Sequence, residues 1–398
     1  MTDETIGDRI KRFRGKAFTQ KELAEAAEVS TDLISKLEQN KRERTSLTSL
    51  RKIARALDID VAELVGKRSG VPTGNFDAGV VAIRQALSSV DDLIDDSIDD
   101  TEPLSLDQAQ REVSYAWGSY WSGRYEQLSA ILPPGITRLR ATAGNVAVDE
   151  TPRANELYAW MLWVSACTLV HLGQNDPAWM AIRQALAAAE KGNDPFLEAT
   201  IRGSVGWQLL VQGRYEESRR VVLKAAADIE PKGDVPQQHL AVHGSLLLQG
   251  ATAAGRDLNI GEALNLAEAA GEVASRLPGD TNWYECNFGQ SQVVMQRVDI
   301  EVSNERFPEA LKVAKTMPNR GTGLTKVSRA RHLLDQASAA VNMGKYQQAL
   351  DMLLTAEQIG GTEWARYQTL LKTVTAELLE NDRHSTLRDF AHRIGVTG

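Results

Sequence analysis

A short signature recurs along the chain at a spacing that few folds can use. It reads G-R-Y-E from Gly123, G-Q-N-D-P-A from Gly173, G-R-Y-E-E from Gly213, N-E-R-F-P-E-A from Asn304 and G-K-Y-Q-Q-A from Gly344. A degenerate copy, N-I-G-E-A-L, begins at Asn259. Successive copies lie about 40 to 50 residues apart, the period of helical hairpins stacked in series. In each unit the Gly or Asn stops one helix, the aromatic packs over the turn, and the following Ala or Ser lets the next helix approach closely. Ala349, Leu353 and Ala356 carry this small-large-small pattern most clearly. A hairpin of this kind buries its apolar face only against its neighbours, so the pattern predicts an all-α solenoid with an extended concave surface.

The unit resembles the tetratricopeptide repeat in a long and irregular form, and it accounts for residues 106–398. With the turn Gly fixing the register, the resemblance puts Trp117, Trp121, Trp163 and Trp207 on first helices, at positions that line the groove. Gln249, Gln292, Arg331 and Asn342 fall similarly in later repeats. Rings that supply area beside amides that hold backbone groups suit a peptide or an amphipathic small molecule. The competing reading is that the tryptophans pack between repeats, because Trp is usually largely buried.

The N-terminal stretch from Thr19 to Leu50 reads as two short helices joined by a tight turn, then a basic loop and another helix. Thr19 and Glu22 have capping-box spacing, and Ser30 is placed to cap the second helix. Val29, Ile34 and Leu37 form that helix's apolar edge, leaving Thr31, Asp32, Ser35, Lys36 and Gln39 on a polar face. A preceding helix from Thr5 to Arg14 puts Ile6, Ile10 and Phe13 on one side, and a fifth short helix capped by Asp60 and Glu63 ends near Val65.

The order T-Q-x-x-L-A, V-S, I-S-x-L-E, a basic loop and S-L-x-x-L-x-x-I-A-x-A-L resembles the lambda-repressor-like (XRE) helix-turn-helix family over residues 1–68. The chain departs from the family's pattern at Glu28 and Asn40, where Gly is usual, and at Thr45, where Pro is usual. Glu28 in a left-handed turn costs about 1–2 kcal/mol. The resemblance implies that Thr31, Asp32, Leu33, Ser35 and Lys36 face bases, while Gln20, Lys41, Arg42 and Arg44 grip phosphates. It also implies a homodimer on a pseudo-palindromic double-stranded operator, since one module reads a half-site weakly. Over nearly its whole length the chain is similar to XRE regulators with C-terminal tetratricopeptide repeats of actinobacterial type. The segments N-F-G-Q-S-Q-V-V-M-Q-R-V-D-I-E-V and A-R-H-L-L-D-Q-A-S-A-A carry that likeness. The architecture more distantly resembles Rap and PlcR-type peptide-sensing regulators.

Charge distribution agrees with a DNA-reading N-terminus. The 398-residue chain has a net charge of -8, yet residues 1–70 carry +3 and the remainder -11. The two cysteines, Cys167 and Cys286, sit in what read as apolar helical patterns, so they form no disulfide framework and fit a reducing cytosol. No signal peptide is expected after Asp3 and Glu4, and the longest apolar run, Leu157 to Val170, is too short to span a membrane.

Residues 69–105 read as a linker, with a Gly/Pro-rich start, a connecting helix from Ala78 to Ile98 and a run of seven acids. Asp91, Asp92, Asp95 and Asp96 imitate a magnesium-diphosphate motif of isoprenoid synthases, with Asn381, Asp382, Ser385 and Asp389 as a loose second half. A charge run at a frayed helix end is the plainer reading. His239 and His243, four apart, lack a third ligand nearby and read as a structural pair. No Walker loop, G-x-G-x-x-G, G-x-S-x-G or cysteine cluster occurs. The expectation is a cytoplasmic, non-enzymatic regulator without a cofactor or metal, its repeats binding a peptide, a small molecule or a protein. The alternative is a protein-interaction hub tethered to DNA.

Overall fold

The structure, a computed structural model, describes residues 4–15, 18–42, 45–57, 59, 64, 75–89, 102–318, 323–381 and 385–396. Arg44, Asp60, Glu63, the acidic run with Asp91, Asp92, Asp95 and Asp96, most of the Gly/Pro-rich stretch, and Asp382 lie outside them.

The N-terminal unit contains α1 (Ile6–Arg14), α2 (Gln20–Ala26), α3 (Thr31–Glu38) and α4 (Leu47–Ala56). Local chemistry sets each start. The Thr19 hydroxyl accepts from the Glu22 N–H at 3.2 Å while the Glu22 carboxylate accepts from the Thr19 N–H at 2.7 Å, and Thr5 with Asp8 repeats the device on α1. Ile10, Leu23, Ile34, Leu37, Leu50 and Ile53 close the core between them, each buried Leu or Ile contributing about 1.5–3 kcal/mol. α1 lies so close to α3 that a Cβ at Gly7 would fall 1.8 Å from the Leu37 carbonyl oxygen.

Both turns that depart from the family's glycine pattern are left-handed. Glu28 has φ 49° and Asn40 has φ 54°. Asn40 offsets its backbone cost by tying α3 to α1, accepting from the Thr5 hydroxyl at 2.6 Å and donating to Asp8 at 3.3 Å. The Glu28 carboxylate lies 3.9 Å from Lys52, a long contact.

The repeat region pairs α6 (Leu106–Trp121) with α7 (Tyr125–Asn145), α8 (Thr151–His171) with α9 (Asn175–Ala189), and α10 (Pro195–Val211) with α11 (Tyr215–Asp228). It continues with α12 (Gln237–Arg256) and α13 (Ile260–Ser275), α14 (Gln290–Ser303) and α15 (Phe307–Ala314), and α16 (Lys326–Asn342) and α17 (Tyr346–Gly360). The short α18 (Thr362–Tyr367), α19 (Thr369–Asn381) and α20 (Ser385–Arg393) follow. First helices α6, α8, α10, α12, α14 and α16 touch one another in series, which puts them on the inner side of the stack. Before them, α5 (Asn75–Leu87) lies on α7 and buries Val80, Ile83 and Leu87 in the core of the first repeats.

Every hairpin closes with the same turn. One left-handed residue ends the first helix at Gly123, Gly173, Gly213, Leu258, Glu305 and Gly344, with φ between 60° and 80°. The next residue donates to the carbonyl five positions back, as Arg214 does to Leu209 at 3.0 Å and Lys345 to Ala340 at 2.9 Å. In the two copies without Gly the sequence expectation needs correcting, because the left-handed residue is Leu258 or Glu305 and not the adjacent Asn. Asn259 instead accepts from the Glu262 N–H at the start of α13, and Asn304 donates to the Gly255 carbonyl at 3.0 Å.

The stack runs through Pro231, Gly233 and Pro236 without a break, since α11 and α12 pack against each other. The longer excursion comes later, between α13 and α14, where a single 3-10 turn (Trp283–Glu285) lies. Cys286 follows that turn and is not helical, contrary to the sequence reading. His239 and His243 each bond a carbonyl at the end of α11, Ile229 at 2.6 Å and Ala226 at 3.1 Å.

The N-terminal unit rests on the edge formed by these turns. From α4 and the residue before it, Thr48 donates to the Ser303 carbonyl, Ser46 donates to Glu305 at 3.0 Å, and Arg55 lies 3.9 Å from Asp257. Arg51, buried, faces Asp299, Tyr215 and Arg256.

Candidate nucleic-acid interface

The surface that the N-terminal unit leaves open is the polar face of α3. Ser30 holds the helix start by accepting from the Leu33 N–H at 3.1 Å, and Ile34 and Leu37 lock the opposite face into the core. Thr31, Asp32 and Lys36 are exposed, while Leu33 and Ser35 are half-buried at the margin. Lys36 pairs with Asp32 one turn earlier at 2.7 Å, and the Gln39 amide donates to Ser35 at 3.0 Å. An i,i+4 pair this exposed contributes only about 0.3–0.5 kcal/mol, so either partner is free to exchange it for a stronger acceptor or donor.

The position of α3 depends on a buried carboxylate. Glu38, 7% exposed, receives Arg14 through Nε at 2.6 Å and through Nη2 at 3.0 Å. The Gln20 amide donates to the same carboxylate at 2.7 Å. These donors hold the Glu38 carboxyl below its usual range although burial alone would raise it. The side-chain N–H of Gln20 is therefore engaged inside the unit, and the exposed side chains of α2 are Lys21, Glu22, Glu25 and Ala26. Lys41 and Arg42 are exposed just after α3.

Residues 12–66 match the family model of the Cro/C1-type HTH DNA-binding domain. The N-terminal unit is a helix-turn-helix DNA-binding domain of that type. No curated relative matches the chain. Among solved structures, Bacillus thuringiensis PlcR in complex with the peptide PapR7 and DNA is 13% identical, covering 89% of this chain and 99% of that one, with a TM-score of 0.40. Pseudomonas aeruginosa PilF is 17% identical over 66% of this chain and 98% of its own, with a TM-score of 0.36. A point mutant of PrgX is 13% identical over 98% of this chain and 100% of its own, with a TM-score of 0.27. Behind the helix-turn-helix the chain is a stack of α-helical hairpins whose first helices pack in series.

On the inner side of that stack the structure joins three of the four expected tryptophans. Trp117 packs on Trp163 with ring centroids 4.6 Å apart and on Trp121 at 6.3 Å. Trp117 and Trp163 are nearly fully buried, and the Trp163 indole donates to Ser204 at 2.6 Å, so both serve the core of the first repeats as well as the surface above it. Trp207 makes no direct ring contact with these three and lies tilted against His171 at 5.4 Å. Trp160, which the turn register did not single out, completes the cluster at 4.9 Å from Trp163.

The polar candidates divide. Gln249 and Gln292 sit half-buried on α12 and α14, and the side-chain carbonyl of each finds no hydrogen-bond partner among the described residues. Arg331 is bound in an ion-pair network with Asp335 and with Asp299, the latter at 3.3 Å, and Asp299 also takes Arg256. Asn342 is exposed and bonds its own helix at Ser338. No helix among the described residues is long and apolar enough to cross a membrane.

Proposed function

We propose that the protein is a sequence-specific transcriptional regulator that binds an operator as a homodimer and takes a peptide or small-molecule effector on its repeats. The observation that carries the reading is the capped, rigidly backed α3, whose exposed Thr31, Asp32 and Lys36 lie within residues matching a DNA-binding domain. Lys36 donates to guanine, Asp32 accepts from cytosine and Leu33 meets a thymine methyl, each a pairing that the major groove presents. Lys41, Arg42 and Arg44, with the backbone N–H groups at the start of α2, hold phosphates and set register.

A half-site read by one such module is weak, which favours two copies on an inverted repeat. The repeats supply the dimer contact and the effector surface, with Trp117, Trp121 and Trp163 on the first repeats and Gln249 and Gln292 on α12 and α14. An effector acts only through a difference in affinity between two arrangements of the DNA-binding domains. The contact of α4 with the hairpin turns is the route by which a change in the repeats reaches α3.

Capture of genomic DNA by the purified protein, run beside Lys36→Ala, tests the DNA half. A short inverted repeat enriched by the wild type and lost in the variant is the expected result. Enrichment that ignores Lys36→Ala overturns it. Calorimetric titration of candidate effectors against the protein-operator complex tests the sensing half, and its failure leaves the DNA half standing.

A further inference from the structure

The inner surface at the tryptophan cluster is covered by the chain itself. Between α13 and α14 the backbone forms a flap whose base is pinned by two hydrogen bonds, Thr281 N–H to the Phe288 carbonyl at 2.8 Å and Phe288 N–H to the Thr281 carbonyl at 2.9 Å. Phe288 is fully buried against α12, where a Cβ on Gly244 would meet its ring at 2.0 Å. The tip, residues 282–287, reaches back across the first helices of three earlier repeats. The Tyr284 ring stacks on Trp160 at 6.0 Å and meets Phe196 edge-on at 6.0 Å. Its hydroxyl donates to Asp194 at 2.8 Å. The Glu285 carboxylate accepts from the Trp121 indole N–H at 2.5 Å.

The tip holds this position against its own backbone. Tyr284 and Glu285 have φ 53° and 55°, a left-handed region that side chains of this size avoid, and Asn287, a residue that tolerates it, has φ 45°. Asn287 is 6% exposed, yet neither polar atom of its side chain finds a partner among the described residues. The plain repeat turns at Leu258 and Glu305 carry one such residue each, whereas the tip carries three within four positions and leaves a buried amide unpaired beside them. Such costs suit a segment that competes for a binding surface, because a marginally held occupant is one that a ligand can replace.

We infer that the Trp283–Asn287 tip is a built-in occupant of the effector site, and that the ligand which displaces it carries an aromatic ring followed by a carboxylate. This rests on the effector half of the proposed function and names its chemistry. The ring takes the place of Tyr284 on Trp160, and the carboxylate takes the place of Glu285 on the Trp121 indole. A peptide with an aromatic residue before an acidic one meets both demands.

Cys286 reports on the tip. Its thiol lies against Thr200 at 3.9 Å and the Tyr284 carbonyl at 3.5 Å, and burial pushes it up to about 11, so it reacts slowly with alkylating agents while the tip is seated. The experiment uses the full-length protein, a maleimide and peptide mapping to read Cys286 separately from buried Cys167. The probe is the synthetic peptide acetyl-N-W-Y-E-S-N-amide, titrated without DNA so that operator binding is scored independently. The expected result is that Tyr284→Gly/Glu285→Gln alkylates at Cys286 at least tenfold faster than wild type and binds the probe at least tenfold more tightly. In the wild type, alkylation of Cys286 rises with probe concentration, and a probe with Gln for Glu does so at least tenfold less well. Unchanged alkylation in the wild type at saturating probe, or equal probe affinity in wild type and variant, overturns the inference whether or not the protein binds its operator.

Discussion

The Thr48 hydroxyl donates to the main-chain carbonyl of Ser303 at 3.2 Å, a buried contact across 255 positions of sequence that fastens α4 to the turn between α14 and α15. Next to it the guanidinium groups of Arg51, Arg256 and Arg331 all act on one carboxylate, Asp299, and hold it below its usual range. Arg51 is the least well placed of the three. Burial beside Arg256 brings it down to about 10. Removing the shared carboxylate strands the cations, so Asp299→Asn is expected to cost roughly 3–5 kcal/mol in denaturant unfolding. Arg51→Met removes a cation that Arg256 repels and is expected to cost no more than about 1 kcal/mol. A larger loss for Arg51→Met than for Asp299→Asn would mean that the hub is not organised around Asp299.

Glu38 gives a second contrast, within the helix-turn-helix. It is the common acceptor for Arg14 and Gln20, and its replacement leaves the largely buried Arg14 without its anion. Glu38→Ala is expected to destabilise the N-terminal domain by roughly 2–4 kcal/mol, followed by amide exchange in α2 and α3. The equally acidic but exposed Asp32→Ala is expected to change stability by less than about 0.5 kcal/mol. If the two substitutions exchange at the same rate, Glu38 is not what positions α3.

Much of this arrangement is legible in the residues alone. The starts at Thr19 and Ser30 and the buried edge of α3 follow from local capping and a helical period, which act over a few residues. The repeat turns follow from their glycines, and for the same reason Leu258 and Glu305 escape notice, because a sequence marks a left-handed position only where it uses Gly or Asn. Tyr284 and Glu285 carry no signal. Their role depends on a flap meeting Trp160 and Trp121 more than a hundred residues away, and no local pattern encodes such a meeting. Cys286 reads as helical because an apolar run looks alike in a helix and in a buried loop.

The turn register makes its own prediction. Leu258 carries a backbone cost that Gly123, Gly173, Gly213 and Gly344 avoid at the equivalent position. Leu258→Gly is expected to leave stability unchanged or raise it by up to about 1 kcal/mol, while Gly213→Val is expected to lower it by about 1–2 kcal/mol or more. Thermal unfolding of the two variants distinguishes this from a simple penalty for any change in a turn.

Acid should weaken the protein through the half-buried His171 and the buried His332. Burial lowers both His171, which meets the Tyr120 hydroxyl at 3.0 Å, and His332 to about 4 from an ordinary value of 6.5. Between those values the unfolded chain binds protons that the folded chain refuses. Their contribution is therefore fully present above pH 6.5 and is lost as pH falls from 6.5 toward 4, by at most about 3 kcal/mol each. Urea midpoints across this range check the sign, and His171→Gln should flatten the slope. A midpoint that rises on acidification through the same window would contradict it.

The central claim is that α3 reads sequence, and equilibrium titration of the captured operator tests it most directly. Wild type, Lys36→Ala and Lys41→Ala are compared on the operator and on scrambled DNA across a range of salt. The account predicts that Lys36→Ala loses about 1–3 kcal/mol on the operator and little on scrambled DNA. Lys41→Ala should weaken both about equally and make the salt dependence shallower by about one ion. Equal losses on both DNAs for Lys36→Ala would contradict base reading by α3 and leave the domain a general DNA tether.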